Sequence, residues 1–352
     1  MTKKLLLLAV AVATLIQPGC ATREPKPSVP WHVTQTEKPF SFADLKLSPE
    51  LEDKILALDP EHVTEKQVRE VLAQAPAPRI INIRGGIYPV YLMMVSFSDF
   101  LTGLGYPEAR IRNPRDGTYS YSCYESAAKL AGMVAWYYEK DGLRPMIVGH
   151  SQGGMQAVKV LDELSNSKRL RVFDPLTDRT QKRYDIIDPL TGGKLPVVKV
   201  QVCYTTAVSA GGLTRVLPNQ WDMTTKLRKI PDSTVDFTGF SKGSDPFGGD
   251  LWGYAAANHY HAIGSANVRN VRLPSDYNHA KIPDTRHLLD SQAMIDWINN
   301  YTPTNEPQLN VKFDSDSTHI LWAADVWYSI KEHWVLELQR LIRAQRARQH
   351  AN

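Results

Sequence analysis

Residues 149–153, which read Gly-His-Ser-Gln-Gly, contain the residue types that present a reactive serine hydroxyl. An apolar run at residues 145–148 precedes them, and a helix-forming run that starts at Gly153 follows. On a sharp turn between a strand and a helix, a serine projects its hydroxyl from the sheet edge, and flanking glycines let the neighbouring backbone approach closely. This setting predicts that Ser151 is a nucleophile. The alternative without catalysis is a structural serine in a glycine-rich turn.

The elements that must position Ser151 alternate between strand-like and helix-like segments along most of the chain. We expect strands at residues 79–83, 109–112, 145–148, 197–206, 234–240 and 268–273, and helices at residues 91–104, 122–140, 153–164, 286–300 and 318–348. Such alternation predicts an α/β fold in which helices cover both faces of a mostly parallel sheet. Two Asp-Pro-Leu-Thr turns within residues 167–195 predict one inserted β-hairpin. Arginines near the end of the last helix are expected to form a solvated helix end, and an anion-binding patch is the alternative.

Residues 149–154, together with the strand that ends at Gly85-Gly86, resemble the α/β-hydrolase family, and its lipase and esterase branch in particular. The resemblance covers roughly residues 79–300 and implies an α/β-hydrolase fold for that domain. The opening β-hairpin of the family is not evident before residue 79. Residues 41–78 are expected to form an N-terminal helical extension, and residues 301–352 a C-terminal helical extension.

The resemblance also implies the partners of Ser151, because in this family the acid follows the serine along the chain and the histidine follows the acid. Asp245, in the exit loop of the strand at 234–240, is the expected acid, and Asp222 is the other candidate. His279, in the loop after the last strand, is the expected base. His287, at the start of a helix, is the alternative base.

A tetrahedral intermediate needs two hydrogen-bond donors for its negatively charged oxygen. The resemblance implies that one donor is the backbone N–H of Gln152, which directly follows the nucleophile. It implies that the other comes from the loop after the first core strand, at Gly86 or Ile87. His150, inside the motif, is expected to pack behind the site or to support it.

The N-terminus reads as a targeting segment. Two lysines precede an apolar run at residues 5–16, which is shorter than the roughly 20 residues that cross a bilayer and is typical of a secretory signal peptide. Gly19-Cys20 resembles a bacterial lipoprotein signal, which implies a signal peptide at 1–19, lipidation of Cys20 and a lipid-anchored tether at 20–40. Simple secretion with cleavage near Ala21 is the alternative. Lipidation implies a place in the bacterial cell envelope, on the periplasmic side of a membrane or at the cell surface.

Composition excludes several other classes. The chain has 352 residues, of which 43% are hydrophobic, so it is expected to be globular. Lys and Arg number 41 against 37 Asp and Glu, and this excess is too small to indicate nucleic-acid binding. The three cysteines lack metal-ligand spacing. Cys123 and Cys203 are open to pairing, although the strand-like surroundings of Cys203 favour buried thiols.

These features predict a serine hydrolase that cleaves carboxylic esters of a small molecule or lipid through an acyl-enzyme, without a metal or organic cofactor. The triad does not separate esters from other acyl groups, so an amidase, peptidase or thioesterase of the same fold is an alternative. A non-catalytic surface lipoprotein that binds lipid or cell wall is the other alternative.

Overall fold

The computed structural model of this protein describes residues 47–211, 218–243, 245, 248 and 259–351. The expected signal peptide and tether, together with Cys20, lie outside the described residues. Within those described ranges, no helix combines the length and the apolar character needed to cross a bilayer.

Six parallel strands form the central sheet. They are β1 (Ile80–Arg84), β2 (Tyr121–Ser122), β3 (Met146–His150), β4 (Val202–Val208), β5 (Thr234–Lys242) and β6 (Asn267–Leu273). Their order across the sheet is β2-β1-β3-β4-β5-β6, and every neighbouring pair is parallel. The α/β class and the parallel sheet predicted from the sequence are therefore confirmed.

The strand expected at residues 109–112 is wrong, because Glu108–Arg110 forms a short 3-10 helix instead. The guanidinium group of Arg79 donates to the carbonyl oxygens of Ala109 and Arg112, at 2.8 and 2.7 Å. Arg110 is buried and pairs with Asp141 at 2.9 Å. These contacts hold the segment as a turn, and the edge strand of the sheet forms later, at β2.

Helices flank the sheet on both faces. They are α1 (Pro49–Leu56), α2 (Glu65–Glu70), α3 (Tyr88–Gly103), α4 (Ala127–Asp141), α5 (Gln152–Asn166), α6 (Gln292–Asn299) and α7 (Ile320–Ala351). The start of α4 was expected near residue 122, but the hydroxyl of Ser126 accepts the Lys129 N–H and fixes the helix start there. Gly142 ends α4 at φ 70°, a left-handed conformation that favours glycine.

Alternate residues of the central strands point into two hydrophobic clusters, as expected for strands that are buried on both faces. Ile80 and Met146 pack in one cluster with side chains of α3, α6 and α7, including Phe97 and Trp322. Ile81, Ile83 and Ile147 pack in the other cluster with side chains of α4 and α5. Residues expected as N- and C-terminal extensions contribute Ile55, Leu72, Trp327 and Leu338 to the first cluster.

The insert at residues 167–195 contains two short antiparallel hairpins rather than the single one expected. Phe173–Asp174 pairs with Arg179–Thr180, and Asp185–Ile187 pairs with Lys194–Pro196. Each Asp-Pro-Leu-Thr segment forms its own turn, because the Asp174 and Asp188 carboxylates accept backbone N–H groups two residues further on.

Polar side chains of α7 fasten this helix to the chain before β1. Lys331 Nζ donates to the carbonyl oxygen of Val63 at 2.6 Å, and Trp334 Nε1 donates to that of Pro76 at 2.9 Å. The expectation that the arginines form a solvated helix end is wrong for Arg340, which pairs with buried Glu337 at 2.7 Å. Arg346 lies at the surface, as expected, and also pairs with Glu52 at 2.8 Å.

His333 and Asp236 form a titratable pair, in which the His333 side chain is buried and 24% of the Asp236 side chain is exposed. His333 Nε2 lies 2.8 Å from Asp236 Oδ2, and His333 Nδ1 lies 2.8 Å from the Ser329 carbonyl oxygen. Both partners accept hydrogen bonds only, so both ring nitrogens donate and the ring is an imidazolium. Burial disfavours that charge, but the hydrogen bond to Asp236 and its carboxylate charge outweigh burial and raise the pKa of His333.

We expect this pair to make stability fall at alkaline pH. A pKa that is raised in the folded state adds stability that is fully present below the unfolded value, about 6.5, and that is lost as pH rises through the folded value. The loss of unfolding free energy in His333→Gln should therefore shrink as pH rises above about 6.5, by roughly 1.4 kcal/mol per unit of pKa separation. Urea denaturation across this pH range measures the loss, and His62→Gln, a substitution of an exposed histidine, is the control. A loss that grows with pH would contradict the imidazolium.

Candidate active site

Ser151 lies at the turn between β3 and α5 in a strained conformation, with φ 56° and ψ −123°. A non-glycine residue in such a conformation costs of order 1–3 kcal/mol and persists only where its surroundings impose it. The Ser151 N–H donates to the carbonyl oxygen of Val208 at 2.9 Å, which fixes the turn to the neighbouring strand β4. The side chain of Ser151 is partly exposed at the carboxyl edge of the sheet.

The surroundings that impose this conformation are backbone contacts at two glycines. A Cβ atom at Gly153 would lie 2.0 Å from the carbonyl oxygen of Ile83 in β1. A Cβ atom at Gly149 would lie 2.5 Å from the carbonyl oxygen of Gly153. The first turn of α5 thus packs directly against two strands, and the chain must reverse direction within the single residue Ser151.

His279 and Asp245 meet Ser151 at this edge, as the sequence analysis expected for a base and an acid. His279 Nε2 lies 3.0 Å from Ser151 Oγ, and His279 Nδ1 lies 2.6 Å from Asp245 Oδ2. Asp245 is buried, with 1% of its surface exposed, whereas 20% of the His279 side chain is exposed. The three side chains form one continuous line of hydrogen bonds that begins in the interior and ends at the serine oxygen.

The alternative acid and base lie elsewhere. Asp222 has a largely exposed side chain and faces Lys159 Nζ at 3.8 Å. His287 lies near Asp316, with Nε2 3.9 Å from a carboxylate oxygen. Asp222 and His287 therefore point to partners other than His279 and Ser151, and the geometry brings together only the first-choice residues.

The loop after β1 lies against the nucleophile. A Cβ atom at Gly85 would lie 3.1 Å from Ser151 Cβ, and one at Gly86 would lie 2.2 Å from Gln152 Oε1. Ile87 caps α3 and is 43% exposed. Gln152 is the first residue of α5, so helix geometry provides no intrahelical acceptor for its N–H. The backbone segments expected to supply both donors, at Gln152 and at Gly86-Ile87, thus adjoin one another beside Ser151.

Two contacts that sequence reasoning missed hold Asp245 and the turn of His279. The Gly248 N–H donates to Asp245 Oδ1 at 3.1 Å, and no pattern in the sequence predicts this hydrogen bond. Asn278 caps the 3-10 helix His279–Lys281 by accepting the Ala280 N–H at 3.0 Å. An asparagine directly before His279 was the available signal for that cap.

The arrangement has the parts of a general base paired with an oxygen nucleophile. β1 and β3 are neighbours, yet the chain leaves them toward opposite faces of the sheet, and the crevice at the carboxyl ends of such strands is the usual binding place in open α/β sheets. Cys123 and Cys203 are free thiols and are buried. Among the described residues, no group of three or more His, Cys, Asp or Glu side chains is arranged to hold a metal ion.

Comparisons with protein-family models, with curated proteins and with solved structures returned no match to this chain.

We expect Gly153→Ala to disrupt the turn, because the added methyl group would overlap the Ile83 carbonyl oxygen. Overpacking of this kind costs about 1–3 kcal/mol, and here backbone rather than a flexible side chain must move. Urea denaturation should show a loss of at least about 2 kcal/mol of unfolding free energy. Gly193→Ala is the matched control, because its methyl group would meet only Thr191 Oγ1 at 3.4 Å. Equal stability of the two variants would show that the contact at Gly153 is relaxed.

Proposed function

We propose that this protein is a serine hydrolase of the α/β-hydrolase fold that cleaves carboxylic esters. The observation that carries the proposal is the line of hydrogen bonds from Asp245 through His279 to Ser151, with distances of 2.6 and 3.0 Å. A serine becomes nucleophilic when a histidine at this distance removes its proton, and the histidine acts as a base when a carboxylate holds its other nitrogen.

The topology supports the fold proposal. Ser151 follows β3 on a strand–turn–helix junction, Asp245 follows β5 and His279 follows β6, so the chain order is serine, acid, histidine. That order and that junction are characteristic of α/β-hydrolases. From residue 47 onward no strand precedes β1, so the core proposed here has six strands among the described residues.

In the proposed reaction, Ser151 Oγ attacks the ester carbonyl carbon while His279 Nε2 takes the hydroxyl proton. Asp245 stays ionised and holds the imidazolium through Nδ1. Collapse of the tetrahedral intermediate expels the alcohol, which receives the proton from His279 and leaves Ser151 acylated. Water then attacks the acyl-enzyme, with His279 again as the base, and the carboxylic acid departs.

The carbonyl oxygen becomes negatively charged in each tetrahedral intermediate and needs preorganised donors. We assign this role to the N–H of Gln152 and to the N–H of Gly86 or Ile87. The close approach of Gly85 to Ser151 and of Gly86 to the Gln152 side chain supports the assignment, because both backbone segments then adjoin the same serine. The loss of one such donor typically costs about 100- to 1000-fold in rate.

The proposal extends to where the enzyme works. Cleavage before Cys20 and its lipidation would anchor the protein in the bacterial cell envelope, since two or more acyl chains hold a protein firmly on a membrane. A small-molecule ester or a lipid is the proposed substrate, and neither a metal nor an organic cofactor takes part in the chemistry.

A fluorophosphonate probe and p-nitrophenyl esters of graded chain length test the proposed function. We expect the wild type to be labelled and to hydrolyse the esters, and Ser151→Ala to do neither. His279→Ala should lose about 1000-fold or more in kcat, because the hydroxyl then lacks its base, while His287→Ala keeps its activity. A folded wild type that is neither labelled nor active would favour a non-catalytic surface protein.

Substitution of Asp245, the proposed acid, gives a separate prediction. Asp245→Asn should lower kcat by about 10⁴-fold, because an amide favours the wrong tautomer of His279. Asp222→Asn is the matched control, since it makes the same change at an aspartate that faces Lys159. Kinetics on a short-chain p-nitrophenyl ester measure both. A large loss in Asp222→Asn with little loss in Asp245→Asn would reverse the assignment.

A further inference from the structure

We propose that His150 is a positioning residue that sets the distance between His279 and Ser151, because it ties the main chain of His279 to the turn that carries the nucleophile. The proposal deepens the proposed function and rests on it. His150 immediately precedes Ser151, and its side chain is fully buried. Its Nε2 lies 2.7 Å from the carbonyl oxygen of His279, across 129 residues of sequence.

This contact fixes the protonation state of the ring. A carbonyl oxygen only accepts hydrogen bonds, so Nε2 of His150 carries a proton and donates it. Burial lowers the pKa of His150 to about 3, so the ring is neutral wherever ester hydrolysis would be measured. His150 therefore adds no positive charge beside His279, whose ring centre lies 5.3 Å away and must itself become cationic during the reaction.

The other nitrogen of His150 shows that the ring is not there for packing alone. Nδ1 is buried and has no hydrogen-bond partner among the described residues, and a Cβ atom at Gly85 would lie 3.5 Å from it. A buried acceptor without a donor costs about 1–3 kcal/mol, which an apolar side chain of similar shape would avoid. The compensating gain is the bond from Nε2 to the main chain of His279.

The position of His279 explains why that bond matters. His279 is the first residue of a single 3-10 turn, which Asn278 caps from one side, and His150 holds the His279 carbonyl from the other. Because Ser151 follows His150 directly, the contact makes the nucleophile and the base parts of one rigid unit. A displacement of about 1 Å between reacting groups can cost about 100-fold in rate.

Three substitutions at position 150 test the proposal. Gln places an amide nitrogen near the position of His Nε2, Asn is too short to reach the His279 carbonyl, and Leu has no donor. We expect His150→Asn and His150→Leu to lower kcat by about 30- to 100-fold with KM within about twofold of the wild type, and His150→Gln to stay within about tenfold. His333→Gln, which removes another buried histidine whose partners are Ser329 and Asp236, should leave kcat unchanged.

A readout other than turnover separates this proposal from the proposed function. The proton between His279 Nδ1 and Asp245 gives a low-field proton NMR resonance, which we expect in the wild type and in His150→Gln and expect to shift or broaden in His150→Asn. Thermal midpoints of the Gln and Asn variants show whether they are equally folded. If the wild type neither hydrolyses esters nor reacts with the fluorophosphonate probe, the proposed function fails. The resonance still tests whether the bond from His150 to the His279 carbonyl positions His279. Equal kcat values and equal resonances in Gln and Asn variants would overturn the role of His150.

Discussion

The contact between Gly153 and the carbonyl group of Ile83 is the constraint on which the candidate site depends. Helix α5 begins so close to β1 that no side chain fits between them, and the chain must turn within Ser151. The strain of that turn, of order 1–3 kcal/mol, is offset by burial on either side of it. All five residues of β3 are buried, and α5 buries a full face of apolar side chains. The core, rather than a loop, therefore holds the serine oxygen in place.

Local sequence was informative wherever one short segment decides the structure. The glycines two residues on either side of Ser151 predicted the turn, and runs such as residues 145–148 predicted strands that are buried on both faces. Segments held by distant residues were not predictable in this way. The 3-10 turn at Glu108–Arg110 depends on the guanidinium group of Arg79, and β2 is only two residues long, too short to carry a period-2 pattern.

The acid illustrates a second limit. Chain order narrowed the choice to aspartates that follow late strands, yet it could not separate Asp245 from Asp222. In the structure, Lys242 at the end of β5 pairs with Leu273 at the end of β6, and this parallel register brings the two exit loops together. Asp245 leaves from the first of these loops, and His279 from the second. The bond from His150 to the His279 carbonyl spans 129 residues, and no sequence pattern indicates a contact between a side chain and a backbone atom at such a separation.

The C-terminal helix α7 supports the loop that carries His279. Tyr277, two residues before His279, is buried, and its hydroxyl oxygen accepts the Leu321 N–H at the start of α7 at 3.2 Å. Its ring packs edge-on against His319, with centroids 5.0 Å apart.

On the other side of the same loop, Ser96 Oγ of α3 donates to Asp284 at 2.8 Å. The loop is thus held between α3 and α7, and α7 is held in turn by Lys331 and Trp334 against the chain before β1. Because His279 can act as the proposed base only at a fixed distance from Ser151, these described terminal segments contribute to the geometry of the candidate site.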